Sequence, residues 1–157
     1  MKTKHTLAAL FVFGMLFASC TNKEKPLKEY MTDAWETKYM KIEMPTFSKS
    51  DSTHVFEDKF ENNPARRVQS VYKSDGTFYT WSLNRKGERH GNSSGTWDIK
   101  GDSLFIEFFY DGRNVKEAYH VEKIKDGFKG ISKYDWDKDG EFDDLLTMKT
   151  KRIVLGE

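Results

Sequence analysis

Through most of the chain, apolar and aromatic positions alternate with polar ones at a period of two, in short runs separated by glycine-containing turns. Tyr79, Trp81 and Leu83 fall on one face of such a run, while Thr80, Ser82 and Asn84 fall on the other. Gly95, Trp97 and Ile99 line up in the same way, as do Leu104, Ile106 and Phe108. This is the periodicity of half-buried strands. The punctuation between runs is Asp75-Gly76, Lys100-Gly101-Asp102, Asp111-Gly112, Asp126-Gly127 and Asp139-Gly140. Asp-Gly supplies the positive φ angles that tight hairpin turns require. The spacing predicts strands over 35–44, 67–72, 77–84, 93–100, 103–110, 115–125, 128–135 and 142–152. Consecutive strands joined by tight turns pair antiparallel. The fold class is therefore mainly β, a single antiparallel meander of about eight strands, and closure into a small up-and-down barrel removes its two unpaired edges.

Two stretches break the period. Leu27, Tyr30, Met31, Ala34 and Trp35 recur at helical spacing, which predicts a short helix ahead of the first strand. The segment 54–62, with Val55, Phe56 and Phe60, reads as a second short helix or a structured loop.

The first twenty residues differ in kind. Lys2 and Lys4 precede an apolar run at 7–18, which ends in Phe17-Ala18-Ser19-Cys20. A run of about a dozen residues is too short for a membrane span, which takes roughly 20, and the layout is that of a secretory signal. The last four residues resemble the lipobox of bacterial lipoproteins, with Phe17 where leucine is usual. That resemblance implies a signal peptide at 1–19, lipidation of Cys20, and a membrane anchor. Cysteine usage agrees, because Cys20 is the sole cysteine and has no disulfide partner. Thr21 after the cysteine, rather than aspartate, implies sorting to the outer membrane, with the periplasmic or surface face left open. Residues 20–34 then read as lipidated cysteine and tether, and 35–157 as the folded domain. Without 1–19 the chain carries 24 basic and 25 acidic residues. So even a balance argues against a nucleic-acid partner.

A second resemblance covers roughly 35–151. Asp75-Gly76-Thr77-Phe78, Gly95-Thr96-Trp97-Asp98-Ile99 and Gly101-Asp102-Ser103-Leu104 resemble the lipocalin-like domains found in many bacterial lipoproteins. The resemblance implies a lipocalin-like barrel and a cell-envelope binding module for a small apolar or amphipathic ligand. Tyr79, Trp81, Trp97, Phe108 and Phe128 are the aromatic candidates to line its cavity. The same residues could instead fill the interior, since eight strands leave room for side chains or one small ligand. In that case the domain is a structural or protein-interaction module of a surface assembly.

The sharpest chemical motif is Asp135-Trp136-Asp137-Lys138-Asp139-Gly140-Glu141-Phe142-Asp143. Its D-x-D-x-D-G-x-x-D spacing resembles the calcium loops of integrin α-subunit propellers. Asp135, Asp137, Asp139, Glu141 (through its carbonyl) and Asp143 are the expected ligands of a structural Ca²⁺, a cation that prefers oxygen donors. Asp144 is an outer-shell acid or a solvated one. A plain hairpin rich in turn-forming aspartates is the alternative. Residues 84–95 hold Arg85, Lys86, Arg89 and His90 and read as a long solvated connection.

Little points to catalysis. His54, His90 and His120 show no metal-binding spacing, and there is no Gly-x-Ser-x-Gly elbow or phosphate-binding glycine loop. The expectation is a non-enzyme. Hydrolysis would need carboxylates that meet only on folding.

Overall fold

The computed structural model describes residues 25–61, 67–110 and 112–155. The expected signal segment at 1–19, Cys20 and the start of the stretch read as a tether lie outside them. A short helix, α1 (Leu27–Met31), leads into nine strands: β1 (Ala34–Met44), β2 (His54–Asp58), β3 (Val68–Tyr72), β4 (Thr77–Leu83), β5 (Arg89–Lys100), β6 (Ser103–Tyr110), β7 (Arg113–Ile124), β8 (Gly127–Tyr134) and β9 (Asp144–Ile153). From β3 to β9 each strand pairs antiparallel with the next, and β9 returns to β1 from Ala34↔Ile153 to Glu43↔Leu145. The first turn of β1 pairs with β3. Eight strands thus close a meander barrel, with β2 as an additional strand on the far half of β1.

The meander and its closure follow the alternation and the turns, with two departures. The segment at 54–62, read as helix or loop, is strand through Asp58: His54 to Asp58 complete the ladder that β1 offers beyond its contact with β3. The expected long connection at 84–95 is a tight turn, because Arg89 already pairs with Leu83. The ladder absorbs the extra residues in a bulge, where Gly91 and Asn92 together oppose Trp81 and Gly91 takes φ +62°. Within the stretch 20–34, read as lipidated cysteine and tether, α1 packs on the barrel, and its Met31 is fully buried in the core.

The two ends of the barrel are built differently. At one end α1 acts as a plug. Trp35 Nε1 donates to the Met31 carbonyl at 2.9 Å, and the Tyr30 hydroxyl donates to the Gly127 carbonyl at 2.6 Å. Trp97 Nε1 donates to Lys73 O, and Trp35 meets Phe128 edge-on with centroids 5.1 Å apart. All three of these large side chains therefore have acceptors for their polar edges. The opposite end carries the β1–β2, β4–β5, β6–β7 and β8–β9 connections, and there the wall is less completely laced. Pairing of β7 with β8 stops at His120↔Ile131, although β7 runs on to Arg113 and β8 to Tyr134.

Candidate functional site

Alternation along β7 points Val115, Glu117, Tyr119 and Val121 inward, and all four are buried. Three of them are the expected content of a barrel interior. Glu117 is not. It is 4% exposed, and neither carboxylate oxygen has a hydrogen-bond partner among the described residues. Burial pushes its carboxyl up to about 7, and the nearby Ser132 hydroxyl offsets this only in part. Ser132 itself, inward on β8 and 4% exposed, leaves its hydroxyl without a hydrogen bond, as does the indole nitrogen of Trp136 just beyond β8. These orphaned polar atoms belong to the strands whose pairing lapses.

An aromatic row runs through the interior to the same end. Tyr72, Phe78, Phe108 and Tyr110 follow one another at centroid distances of 4.9, 5.6 and 6.1 Å. Gly95 sits opposite both Phe78 and Phe108, and a Cβ there would lie 1.9 Å from the Glu107 carbonyl oxygen, so only glycine fits. The row begins in the core and ends at Tyr110, which is exposed. Across from it, Tyr134 meets Trp136 and Phe142 at 5.4 and 5.6 Å, and the Arg113 guanidinium lies 5.3 Å from the Tyr134 ring.

The five aromatic candidates divide. Trp97 and Phe128 are core, with Phe108 packed against it. Tyr79 and Trp81 face outward, because β4 turns Phe78, Thr80 and Ser82 inward and so the alternation sends its odd residues to the outer wall. Trp81 is nevertheless buried. Its Nε1 donates to Gln69 Oε1 at 3.0 Å, and the Arg89 guanidinium covers its ring at 4.1 Å. Gln69 in turn donates to Glu36, which is ion-paired to Lys151 at 3.3 Å and Arg67 at 3.7 Å. Burial raises the Glu36 carboxyl, but the Gln69 hydrogen bond and the two cations outweigh it and leave a net lowering.

The aspartate loop forms a second cluster. Asp135, Asp137 and Asp144 each bring a carboxylate oxygen within 4.8 Å of the others. Asp144 Oδ2 accepts from the Trp136 and Asp137 amides at 2.6 and 3.2 Å, yet burial leaves its carboxyl raised. Asp135 is 7% exposed and its Oδ1 has no hydrogen-bond partner. Of the other expected ligands, Asp139 and Glu141 turn towards the β1–β2 connection. There Ser48 and Lys49, both left-handed at φ +53° and +60°, donate amides to Asp137 and Asp139 at 2.8 and 3.4 Å. Asp143 is half-buried and outside the cluster. Asp144, set aside as outer-shell or solvated, joins it because it shares the inward phase of Leu146 on β9. That phase was readable in the sequence.

Two surface clefts accompany these sites. One, of about 490 Å³, lies between the β1–β2 connection and the aspartate loop and is lined by Thr46, Lys49, Asp139 and Glu141 among others. The second, of about 320 Å³, lies at 57–61. Neither touches the five aromatic candidates. No described helix is long and apolar enough to cross a membrane. In comparison with known proteins, no family model, curated protein or solved structure matches the chain significantly.

Proposed function

We propose that the chain is a lipid-anchored cell-envelope module whose barrel holds a small amphipathic molecule in its less laced half. One observation carries the reading: buried polar groups without partners, Glu117 and Ser132, project into the interior of a closed barrel. A barrel that served only as a scaffold has no use for an unpaired buried carboxylate, which costs stability. The aromatic row from Tyr72 to Tyr110 supplies apolar surface leading inward from an exposed rim. The anchor is inferred from 1–20 and places the module at the outer membrane. Native mass spectrometry of the mature protein exported to the periplasm tests the binding reading. A co-purifying organic mass lost on denaturation supports it, and a bare protein after incubation with envelope lipid extract overturns it. The anchor has a separate test: Cys20→Ala should release the protein to the soluble fraction, and continued membrane fractionation would sink that part.

A second reading has its own observation, the unpartnered Asp135 Oδ1 within the Asp135–Asp137–Asp144 cluster. Oxygen donors of this kind suit a hard divalent cation such as Ca²⁺, which here would pin the end of β8 to the start of β9. The cation would be structural and is compatible with the binding reading. It would equally suit a domain that supports a surface assembly.

A further inference from the structure

We infer that the molecule held in the barrel has a cationic, hydrogen-bond-donating head, a primary ammonium on an apolar body, which docks on Glu117 and Ser132. The inference rests on the binding reading above and specifies the ligand's chemistry. Glu117 offers two carboxylate oxygens that no donor reaches at full hydrogen-bond geometry; the Ser132 hydroxyl beside them is the one side-chain donor that offsets the cost of burial, and only in part. An ammonium has three donors and a positive charge, so it can serve all three oxygens at once. A hydroxyl head brings one donor and no charge. A carboxylate head brings none, and its charge would be repelled.

The chain's own groups do not fill this role. Besides Glu117, the titratable residues that interact electrostatically with Tyr119 in this part of the interior are Tyr72 and Tyr134, and burial keeps Tyr119 neutral by pushing its phenol well up. Arg113 lies on the same inward row of β7, but its guanidinium stacks over Tyr134, one strand away. No lysine or arginine pairs with Glu117 among the described residues, whereas Glu36 on the outer wall has two such partners. Without a ligand the carboxyl sits near 7 and is partly neutral at physiological pH. An arriving ammonium would hold it ionised. The apolar body would then lie along Phe108 towards the rim at Tyr110, where the aromatic row ends.

The test is calorimetric titration of the mature protein at pH 8 with dodecylamine, dodecanol and dodecanoate, each below its micelle concentration. A charge-assisted hydrogen bond in a buried site is worth more than about tenfold in affinity over a neutral one. Dodecylamine is therefore expected to bind at least about tenfold more tightly than dodecanol. Glu117→Gln should erase that advantage while leaving dodecanol within a few-fold. Glu117→Gln removes a buried charge and keeps the shape, so loss of the fold is not the expected outcome; circular dichroism checks it. Equal binding of amine and alcohol, or an amine preference that survives Glu117→Gln, overturns this inference and leaves the barrel-binding reading standing. Absence of binding by all three probes removes both. Ser132→Ala is expected to weaken the amine by a smaller factor than Glu117→Gln, and an amine insensitive to both variants places the head elsewhere.

Discussion

The molecule buries two glutamates to nearly the same extent and treats them in opposite ways. Glu36, 3% exposed on the outer wall, has Gln69, Lys151 and Arg67 around it and a carboxyl lowered below its usual range. Glu117, 4% exposed on the inner wall, has no cation and no donor at full hydrogen-bond geometry among the described residues, and its carboxyl is raised to about 7 with the nearby Ser132 hydroxyl offsetting burial only in part. The contrast shows what the fold does when a buried charge is structural: it surrounds the charge with an amide and two cations from β9 and from β3 and its approach. Glu117 lacks that provision, so its retention calls for a role outside stability. Its neighbours in the less laced half, Ser132 and Trp136, share the deficit. In the plugged half Trp35, Trp97 and Tyr30 all have acceptors, and the one Glu36 oxygen without a hydrogen bond, Oε1, faces the Lys151 ammonium at 3.3 Å.

The largest expected effect comes from removing the unpaired charge. Ionisation of Glu117 in the fold is disfavoured, so the folded state binds its proton more tightly than the unfolded chain does, whose carboxyl titrates near 4.3. The favourable protonated form is fully present below that value. Its contribution is lost as pH rises through about 7. Glu117→Gln is therefore expected to stabilise the protein at pH 8, by up to about 3 kcal/mol, and to be near neutral at pH 4. Urea unfolding at the two pH values measures this. A variant less stable than wild type at pH 8 would mean that Glu117 has a partner in solution, and the comparison with Glu36 would collapse.

The aspartate cluster extends the comparison to a third buried acid. If Asp135, like Glu117, is kept for a ligand, Ca²⁺ at 100 times its dissociation constant should add roughly 2.7 kcal/mol. For a domain of this size the melting temperature then rises by several degrees, at about 2–4 °C or somewhat more per kcal/mol. Asp135→Asn should abolish the rise. An unchanged melting curve on adding calcium or chelator would show that the loop stands on its amide-to-carboxylate hydrogen bonds alone.

How much of this was legible in the chain depends on which physical signal carried it. Period-two alternation and Asp-Gly turns placed strands where β3, β4 and β6 to β9 lie, because local chemistry decides them. The β2 strand is harder to read, since His54–Asp58 is only five residues, buries none of them fully, and pairs as a strand along the ladder that β1 offers beyond β3. The faces were harder than the strands. Alternation put Tyr79, Trp81 and Leu83 together correctly but could not tell inside from outside, and a tryptophan on the outer wall looks like core until Gln69 and Arg89 are seen covering it. The acid-rich loop was visible from spacing, while its cluster exchanged three expected ligands for Asp144. Glu117 drew no notice at all. Its signal was there: an acid in phase with Val115, Tyr119 and Val121 on a strand whose other inward positions are apolar.

The paired glutamate gives a smaller effect of opposite sign. Above its unfolded value Glu36 contributes stability, because its folded carboxyl is lowered, and that contribution fades as pH falls through the folded value. Glu36→Gln is expected to cost about 2 kcal/mol at pH 8, since its cationic partners are themselves part-exposed and keep some hydration. The cost should shrink towards pH 3. Urea unfolding of Glu36→Gln and Glu117→Gln in parallel should therefore give shifts of opposite sign at pH 8. Shifts of the same sign would refute the assignment of one glutamate to structure and the other to binding.

The smallest effect belongs to the plugged end, and it separates a cost of lost hydrogen bonding from a cost of unpaired charge. The Tyr30 hydroxyl reaches the Gly127 carbonyl at 2.6 Å from α1, across the mouth that the helix closes. Tyr30→Phe keeps the ring against Trp35, 5.6 Å between centroids, and removes only that donor. A neutral hydrogen bond in a part-buried position contributes about 1 kcal/mol, which is a shift of a few degrees in melting temperature. The substitution leaves every carboxylate and imidazole in place, so the shift should differ little between pH 4 and pH 8, unlike that of either glutamate variant. A thermal melt at both pH values checks it. If Tyr30→Phe also altered dodecanol or dodecylamine binding, the plug would be coupled to the opposite half, and the division of the barrel into a structural end and a binding end would have to be withdrawn.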